Sequence, residues 1–231
     1  MCGRFTLQSP SDALAELFEW GLPDDLSPSY NVAPTQAIPV FRQSPRDASP
    51  EVIRMRWGLI PFFAKDSWVS KGAPMINARS ETVAEKPFFR QAFRRRRCLV
   101  PADGFLEWKR IGKTKQPYHI TMADARPFAM AGLWEQWQSP TGELIQSCTI
   151  LTTPANDLVS QIHDRMPAIL HPQDHELWTN VKVQDRNLLQ PLLQPFDPAA
   201  MTMRPVSMRV NNARNNVPEC LADQAPPTVG G

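Results

Sequence analysis

Residues 97–110 have the sequence RCLVPADGFLEWKR, and this stretch decides the fold. It contains two strand-like runs, 97–101 and 105–110, with a short turn between them. Three more strand-like runs follow closely: 117–122, 127–136 and 145–152. Strands that follow one another with short turns, and with few long helices between them, indicate mostly antiparallel pairing.

The flanking sequence adds short strands and short helices. Further strands are predicted at 36–42, 51–57 and 203–210, and helices at 11–20, 86–93, 155–162 and 173–180. The pattern predicts an α+β protein with a single compact domain over residues 1–216. We expect its sheet to be curled, mostly antiparallel and barrel-like, with short helices at its flanks. Residues 217–231 end in APPTVGG and are expected to form a disordered tail.

Composition excludes several classes of protein. No apolar run reaches the ~18–20 residues that span a bilayer, and no basic region precedes an apolar stretch as in a secretory signal. The four cysteines are scattered without a C-x-x-C pair, which indicates reduced thiols and a cytoplasmic location. A bacterial protein of this kind would be associated with the nucleoid. Phosphate-loop, dinucleotide and serine-hydrolase motifs are absent, and no cofactor is expected.

Positive charge is concentrated in one part of the chain. The net charge is +2, but residues 90–115 hold nine Lys or Arg against two acidic residues. Such a stretch suits a polyanion such as nucleic acid. A solvated basic face is the alternative.

A metal site is a competing hypothesis. His171 and His175 lie four residues apart on a predicted helix, a spacing that can share one metal ion. No third ligand is evident in the sequence, so we expect no metal.

The chain begins Met1-Cys2-Gly3-Arg4-Phe5. Removal of Met1, which is usual before a small residue, would leave an amine and a thiol on Cys2. An aminothiol of this kind captures an aldehyde, because the amine forms an imine and the thiol then closes a thiazolidine ring. The alternative is an inert cysteine at a frayed terminus.

Five later motifs place polar side chains among apolar or turn-forming residues: YNVAP at 30–34, WGLIPFF at 57–63, INARSET at 76–82, PADGFLEWK at 101–109 and IHDRMP at 162–167. Each polar residue has a structural alternative. Asn31 could be a turn former in a loop before a strand, and Asn77 could pair with Arg79. Glu107 could point outward from a strand, and His163 could sit at a helix C-terminus.

Taken in order with MCGRF, these motifs resemble the SOS response-associated peptidase (SRAP) family from Cys2 to about Asn211. Members of that family shield abasic sites in single-stranded DNA. The resemblance implies a sheet-lined DNA groove and a covalent link between Cys2 and the ring-opened sugar. It also implies lyase-like chemistry and peptidase processing that depend on Cys2.

The resemblance assigns two sets of residues in this sequence. Around Cys2 as the nucleophile, it implies these catalytic residues: Asn31, Asn77, Glu107 and His163. For contacts with DNA, it implies a second set: Arg4, Phe62, Phe63, Arg79, Thr152 and Arg165. The expected partner is single-stranded DNA with an abasic site, and the expected state is a monomer.

The chemistry of these residue types agrees with the resemblance. A buried Glu107 would have a raised pKa and could shuttle protons. His163 titrates near neutrality and could help to open the sugar. Two alternatives remain open at this point: a peptidase that uses Cys2, and a non-covalent binder of single-stranded nucleic acid that uses the basic stretch and aromatic side chains.

Overall fold

Two β-sheets organise the protein in a computed structural model that describes residues 2–18, 26–65 and 74–225. The strands of this part are β1 (Phe5–Leu7), β2 (Ser29–Val32), β3 (Ala37–Gln43), β4 (Pro50–Trp57), β5 (Asn77–Arg79), β6 (Arg97–Ala102), β7 (Gly104–Ile111), β8 (Thr114–Met122), β9 (Phe128–Gln138), β10 (Leu144–Pro154), β11 (Arg165–Pro167), β12 (Ile169–Leu170) and β13 (Met201–Pro205). The α-helices are α1 (Ser11–Phe18), α2 (Arg90–Arg95), α3 (His175–Thr179) and α4 (Arg186–Leu189). Short 3₁₀ turns cover Val159–Gln161, Pro172–Asp174, Gln190–Leu192, Pro198–Ala200, Met208–Asn211 and Pro218–Leu221.

The first sheet closes on itself as a five-stranded barrel. Its strands follow the order β4, β3, β6, β9 and β10, and all four of these neighbouring pairs are antiparallel. The barrel closes through a parallel pairing of β10 with β4, at Arg56–Ser147 and Trp57–Cys148. Beyond the closure, β10 continues and pairs with β5 and β11, while β12 pairs with β9. The prediction of a curled, mostly antiparallel α+β fold is confirmed.

The second sheet is antiparallel throughout, in the order β13, β8, β7, β1 and β2. A two-residue turn joins β7 to β8, and its Gly112 has a φ of +58°. A positive φ at the first residue of such a turn follows the right-handed twist of the strands. The strand β1 lies in the interior of this sheet, between β2 and β7, so the start of the chain is held on both sides.

One hydrophobic core joins the two sheets. Phe5 of β1 and Trp57 of β4 are fully buried and meet edge to face, with their ring centroids 5.3 Å apart. The indole Nε1 of Trp57 donates to the main-chain oxygen of Ile76 at 2.9 Å and so holds the chain just before β5. A smaller apolar cluster lies beneath the carboxyl-terminal segment and contains Leu106, Val206, Val210, Cys220 and Leu221.

Three predicted elements differ from the structure. The helix predicted at 155–162 is reduced to the 3₁₀ turn Val159–Gln161, because the Asn156 side chain accepts from the backbone nitrogen of Val159 and starts the turn there. The helix predicted at 86–93 begins later, as α2, after a run of turns. The last strand ends at Pro205, because the chain turns into Met208–Asn211 soon afterwards.

The expected disorder from residue 217 onward is wrong for residues 217–225. Pro218–Leu221 forms a 3₁₀ turn, and Cys220 and Leu221 are buried in the smaller cluster. Val206 also forms a β-bridge with Asp223. Apolar side chains therefore anchor this segment in spite of its prolines, whereas the remainder of the predicted tail, 226–231, lies outside the described residues. None of the described helices is long and apolar enough to cross a membrane.

Candidate active site

A cleft of about 470 Å³ opens where the start of the chain meets the β7–β8 hairpin and the loop after β10. Its lining residues are Arg4, Glu107, Trp108, Lys115, His163 and Asn211. The elements that supply them come from both sheets, so the cleft forms only when the two sheets pack together.

Cys2 is fully buried beside this cleft, just before β1. Burial raises the pKa of its thiol strongly, and the nearby negative charge of Glu107 raises it further. The Asn77 side chain fixes the backbone here, because its Nδ2 donates to the main-chain oxygen of Cys2 at 2.8 Å. Within the described residues, Oδ1 of Asn77 is buried and accepts no hydrogen bond. The structure therefore brings Cys2, Asn77 and Glu107 together, and the thiol is protonated.

Glu107 lies on β7 between the buried Leu106 and the half-buried Trp108, and it is only 3% exposed. Burial raises the pKa of its carboxyl to about 7, while the positive charge at the amino terminus of the chain acts in the opposite direction. A carboxyl that titrates near neutral pH can both give and take a proton. Glu107 therefore does not point outward into solvent, as the structural alternative required.

His163 follows the 3₁₀ turn and lines the cleft. Its Nδ1 accepts from the backbone nitrogen of Arg165 at 2.9 Å. Burial lowers the pKa of the ring, and the positive charge at the amino terminus lowers it further. A carboxylate oxygen of Asp164 lies 3.0 Å from the same Nδ1, and its negative charge acts on the pKa in the opposite direction.

Asn31 lies within β2 rather than in a loop, and its side chain is 1% exposed. Its Nδ2 donates to three main-chain oxygens of one segment: Val210 at 3.2 Å, Asn212 at 3.1 Å and Asn215 at 2.8 Å. Its Oδ1 accepts from Nη1 of Arg4 at 2.8 Å. These contacts hold the segment that carries Asn211, and the role of Asn31 in catalysis stays a prediction.

Three residues expected to contact DNA lie together on β5, β10 and β11. Arg79 is exposed, and alternation along β5 puts it on the same face as Asn77. Thr152 is buried, and its main-chain oxygen accepts from Nη2 of Arg165 at 2.6 Å. The guanidinium of Arg165 also pairs with both carboxylate oxygens of Glu81. Arg79 is thus presented to solvent, whereas Arg165 already has an anionic partner.

Phe62 and Phe63 are exposed by 54% and 48%, respectively. The two rings meet edge to face with centroids 5.1 Å apart, and Phe63 also stacks on Phe88 at 5.8 Å. Phe88 is 42% exposed and was not among the predicted site residues. These three rings form an exposed aromatic cluster, of the kind that marks binding surfaces.

The basic stretch 90–115 does not act as one surface. Its first part belongs to α2 beside the barrel, and its last part to the β7–β8 hairpin of the second sheet. Arg97 is buried and donates to five main-chain oxygens, two on α2 and three around residues 178–183. At least this arginine serves the fold rather than a polyanion.

No group of three or more His, Cys, Asp or Glu side chains among the described residues could hold a metal ion. The two histidines of the metal hypothesis have aromatic neighbours instead. His175 stacks on Phe18 with ring centroids 5.5 Å apart, and His171 lies 4.8 Å from the ring of Phe196.

The fold and the site define a class: an α+β barrel protein whose second residue is a cysteine grouped with an asparagine, a carboxyl of raised pKa and a neutral histidine. The chain belongs to the SOS response associated peptidase (SRAP) family, whose family model matches residues 1–213.

Named relatives cover nearly the whole chain. The abasic site processing protein YoqW of Bacillus subtilis is 46% identical over 96% of this chain and 99% of its own length. The abasic site processing protein HMCES of Rattus norvegicus is 36% identical over 96% of this chain and 76% of its own length. The crystal structure of a protein from Bacteroides thetaiotaomicron is 28% identical, covers 97% of this chain and all of that one, and superposes with a TM-score of 0.85.

Proposed function

We propose that this protein processes abasic sites by capturing them covalently in single-stranded DNA. After Met1 is removed, Cys2 joins the ring-opened sugar as a thiazolidine and shields the site during the response to DNA damage. The observation that carries the proposal is the grouping of Cys2 with Asn77, Glu107 and His163 beside one cleft. The names of the relatives YoqW and HMCES support it.

The reaction balances without an oxidant or a reductant. The neutral amine of Cys2 attacks the aldehyde carbon, and loss of water gives an imine. The Cys2 sulfur then bonds to the same carbon, and the thiol proton goes to the nitrogen. Glu107 is suited to protonate the leaving hydroxyl, because its carboxyl is protonated in about half of the molecules near pH 7. Ring closure is fast because thiol and imine are held on one residue.

The proposal requires that Cys2 become accessible. The burial of its thiol is that of a chain that still carries Met1. Removal of Met1 moves the amine to the nitrogen of Cys2, the residue whose main-chain oxygen accepts a hydrogen bond from Asn77. The buried Oδ1 of Asn77 is then a suitable acceptor for that amine.

The proposed DNA contacts follow from which of the expected side chains are exposed. Exposed Arg79, on the face that Asn77 shares, is suited to a phosphate near the sugar. The exposed rings of Phe62 and Phe63 are suited to stack against bases. Thr152 contributes by holding Arg165 in place.

The test is an intact mass after the protein is mixed with single-stranded DNA, with and without an abasic site. The mature protein should begin at Cys2 and gain the mass of the abasic strand less one water. Cys2→Ala should form no stable adduct, and Cys2→Ser should form a reversible imine at most, because both variants lack the thiol that closes the ring. Retained Met1 in active protein, or an adduct of Cys2→Ala that survives heating, would refute the mechanism. Binding without any adduct would favour the non-covalent alternative.

Two further variants test the acid–base pair. Glu107→Ala and His163→Ala should each slow adduct formation by about 10²–10⁴-fold, while DNA binding and melting temperature stay near those of the wild type. Loss of folding and binding together would show that the two residues are structural.

A further inference from the structure

The cleft continues beyond Glu107 and His163 to a second wall, formed by Trp108, Lys115 and Asn211. The proposed reaction at Cys2 does not use these three residues. We propose that this hairpin wall binds the nucleotide next to the abasic sugar, with Lys115 on its phosphate and the Trp108 ring against its base. The inference rests on the proposed function and extends it from a lone sugar to a sugar with its neighbour.

Strand register places Lys115 at a separate level from Glu107. Glu107 is opposite Tyr118, whereas Lys115 is opposite Arg110. Three residues separate the two levels, which corresponds to about 10 Å along the strands. Alternation and cross-strand pairing also put Trp108, Arg110 and Lys115 on one face of the hairpin and Glu107 on the other. Trp108 and Lys115 can therefore contact one ligand while Glu107 faces the sugar.

Trp108 is held in a fixed orientation. Its Nε1 donates to Oδ1 of Asn211 at 2.7 Å, and its ring packs against the small apolar cluster that contains Leu106 and Val210. The Cζ atom of Arg4 lies 6.0 Å from the ring centroid. A ring that is already oriented loses little freedom when a base stacks on it. Asn211 is thus a positioning residue for this platform.

The charge of the hairpin wall suits a phosphate. Lys115 is exposed and makes no hydrogen bond or ion pair with the described residues. Arg4 adds a second positive charge to the cleft, although its Nη1 already donates to Asn31 and to the main-chain oxygen of Val210. A cation that has no partner in the described part of the chain, beside a fixed aromatic ring, matches the phosphate and base of one nucleotide.

The experiment compares Lys115→Gln with Lys182→Gln, which removes the same charge from an exposed residue away from the cleft. The probes are labelled single strands in which a tetrahydrofuran analogue replaces the abasic sugar, placed internally, at the 5′ end or at the 3′ end. Anisotropy gives the dissociation constant over a range of salt. On the internal probe, Lys115→Gln should weaken binding and reduce the slope of log K against log salt by roughly 0.7, the value of one phosphate contact on a single strand.

The end-placed probes decide whether a neighbouring nucleotide is involved. The effect of Lys115→Gln should persist on one of them and disappear on the other, which lacks that neighbour. An equal effect on all three probes, or an effect no larger than that of Lys182→Gln, would overturn the proposal.

A final comparison tests the contact between Trp108 and the base of the neighbouring nucleotide, and it separates this inference from the proposed function. Removing the base of the neighbour should weaken wild-type binding by about 5- to 150-fold, the range for one stacked base. Unchanged affinity would overturn the role of Trp108. The same strands with a true abasic site report the adduct by mass. If the binding pattern holds but no adduct forms, the proposed function fails and the nucleotide contact stands.

Discussion

Replacing Asn31 with alanine tests whether this residue acts on the fold or directly on the chemistry. The two hydrogens on its Nδ2 serve three main-chain oxygens, so about two full hydrogen bonds are lost. The charge-assisted bond from Arg4 is lost as well. At about 1 kcal/mol for each neutral bond and 1.5–3 for the charged one, the sum is roughly 3.5–5 kcal/mol. Arg4 keeps its bond to Val210, so we expect about 2–4 kcal/mol.

Urea unfolding, followed by tryptophan fluorescence, measures this free energy. The melting temperature should fall by roughly 4–16 °C, because 1 kcal/mol corresponds to about 2–4 °C in a protein of this size. Exposed Asn187, replaced in the same way, should change the stability by less than about 0.5 kcal/mol. If Asn31→Ala lost less than 1 kcal/mol but formed no adduct, the structural argument would be refuted, and Asn31 would act on the sugar or the amine.

Three more changes test the electrostatics and the aromatic cluster. The pKa of Glu107 is raised to about 7, so the stability that its protonated carboxyl contributes is complete below the usual pKa near 4.3 and is lost as the pH rises through 7. In urea unfolding, the free energy of unfolding of Glu107→Gln should therefore rise by about 3 kcal/mol relative to that of the wild type between pH 4 and pH 8. A difference that stays constant with pH would contradict the burial argument. Glu81→Gln should tighten binding to single-stranded DNA by about fivefold at low salt, because it removes the carboxylate that competes with phosphate for Arg165. Weaker binding would show instead that Glu81 holds Arg165 in the position that binds DNA. Phe88→Ala should weaken binding to single-stranded DNA by about fivefold or more without lowering the melting temperature, since the Phe88 ring is exposed beside Phe63. An affinity equal to that of the wild type would place Phe88 outside the DNA contact.

The longer strands were predictable because their side chains alternate over enough residues. In β4, for example, Met55 and Trp57 are buried while Arg54 is exposed. The strands β1, β5, β11 and β12 have only two or three residues each, too few to show a period. The parallel closure between β4 and β10 joins positions about 90 residues apart, and no local pattern encodes such a pairing.

The candidate site was predicted from the order of the sequence motifs along the chain rather than from the spacing between individual residues. The sequence predicted that Glu107 would have a raised pKa if it were buried, and in the structure the residue is buried and its pKa is raised to about 7. The contacts of Asn31 could not be foreseen, because its acceptors lie 179–184 residues further along the chain. Lys115 and Asn211 were missed for a similar reason: they belong to different elements that meet only in the folded protein.

The long strand β10 has a consequence for the order of events during synthesis. It pairs with β9, β4, β5 and β11, so the first half of the chain has no complete barrel until β10 has left the ribosome. Pairings between distant segments form late, because the entropy of closing a long loop must be overcome first. His163, and the loop that places it, follow β10. A nascent chain therefore carries its cysteine long before it carries the cleft, and a product truncated before β10 would lack both His163 and the closed barrel.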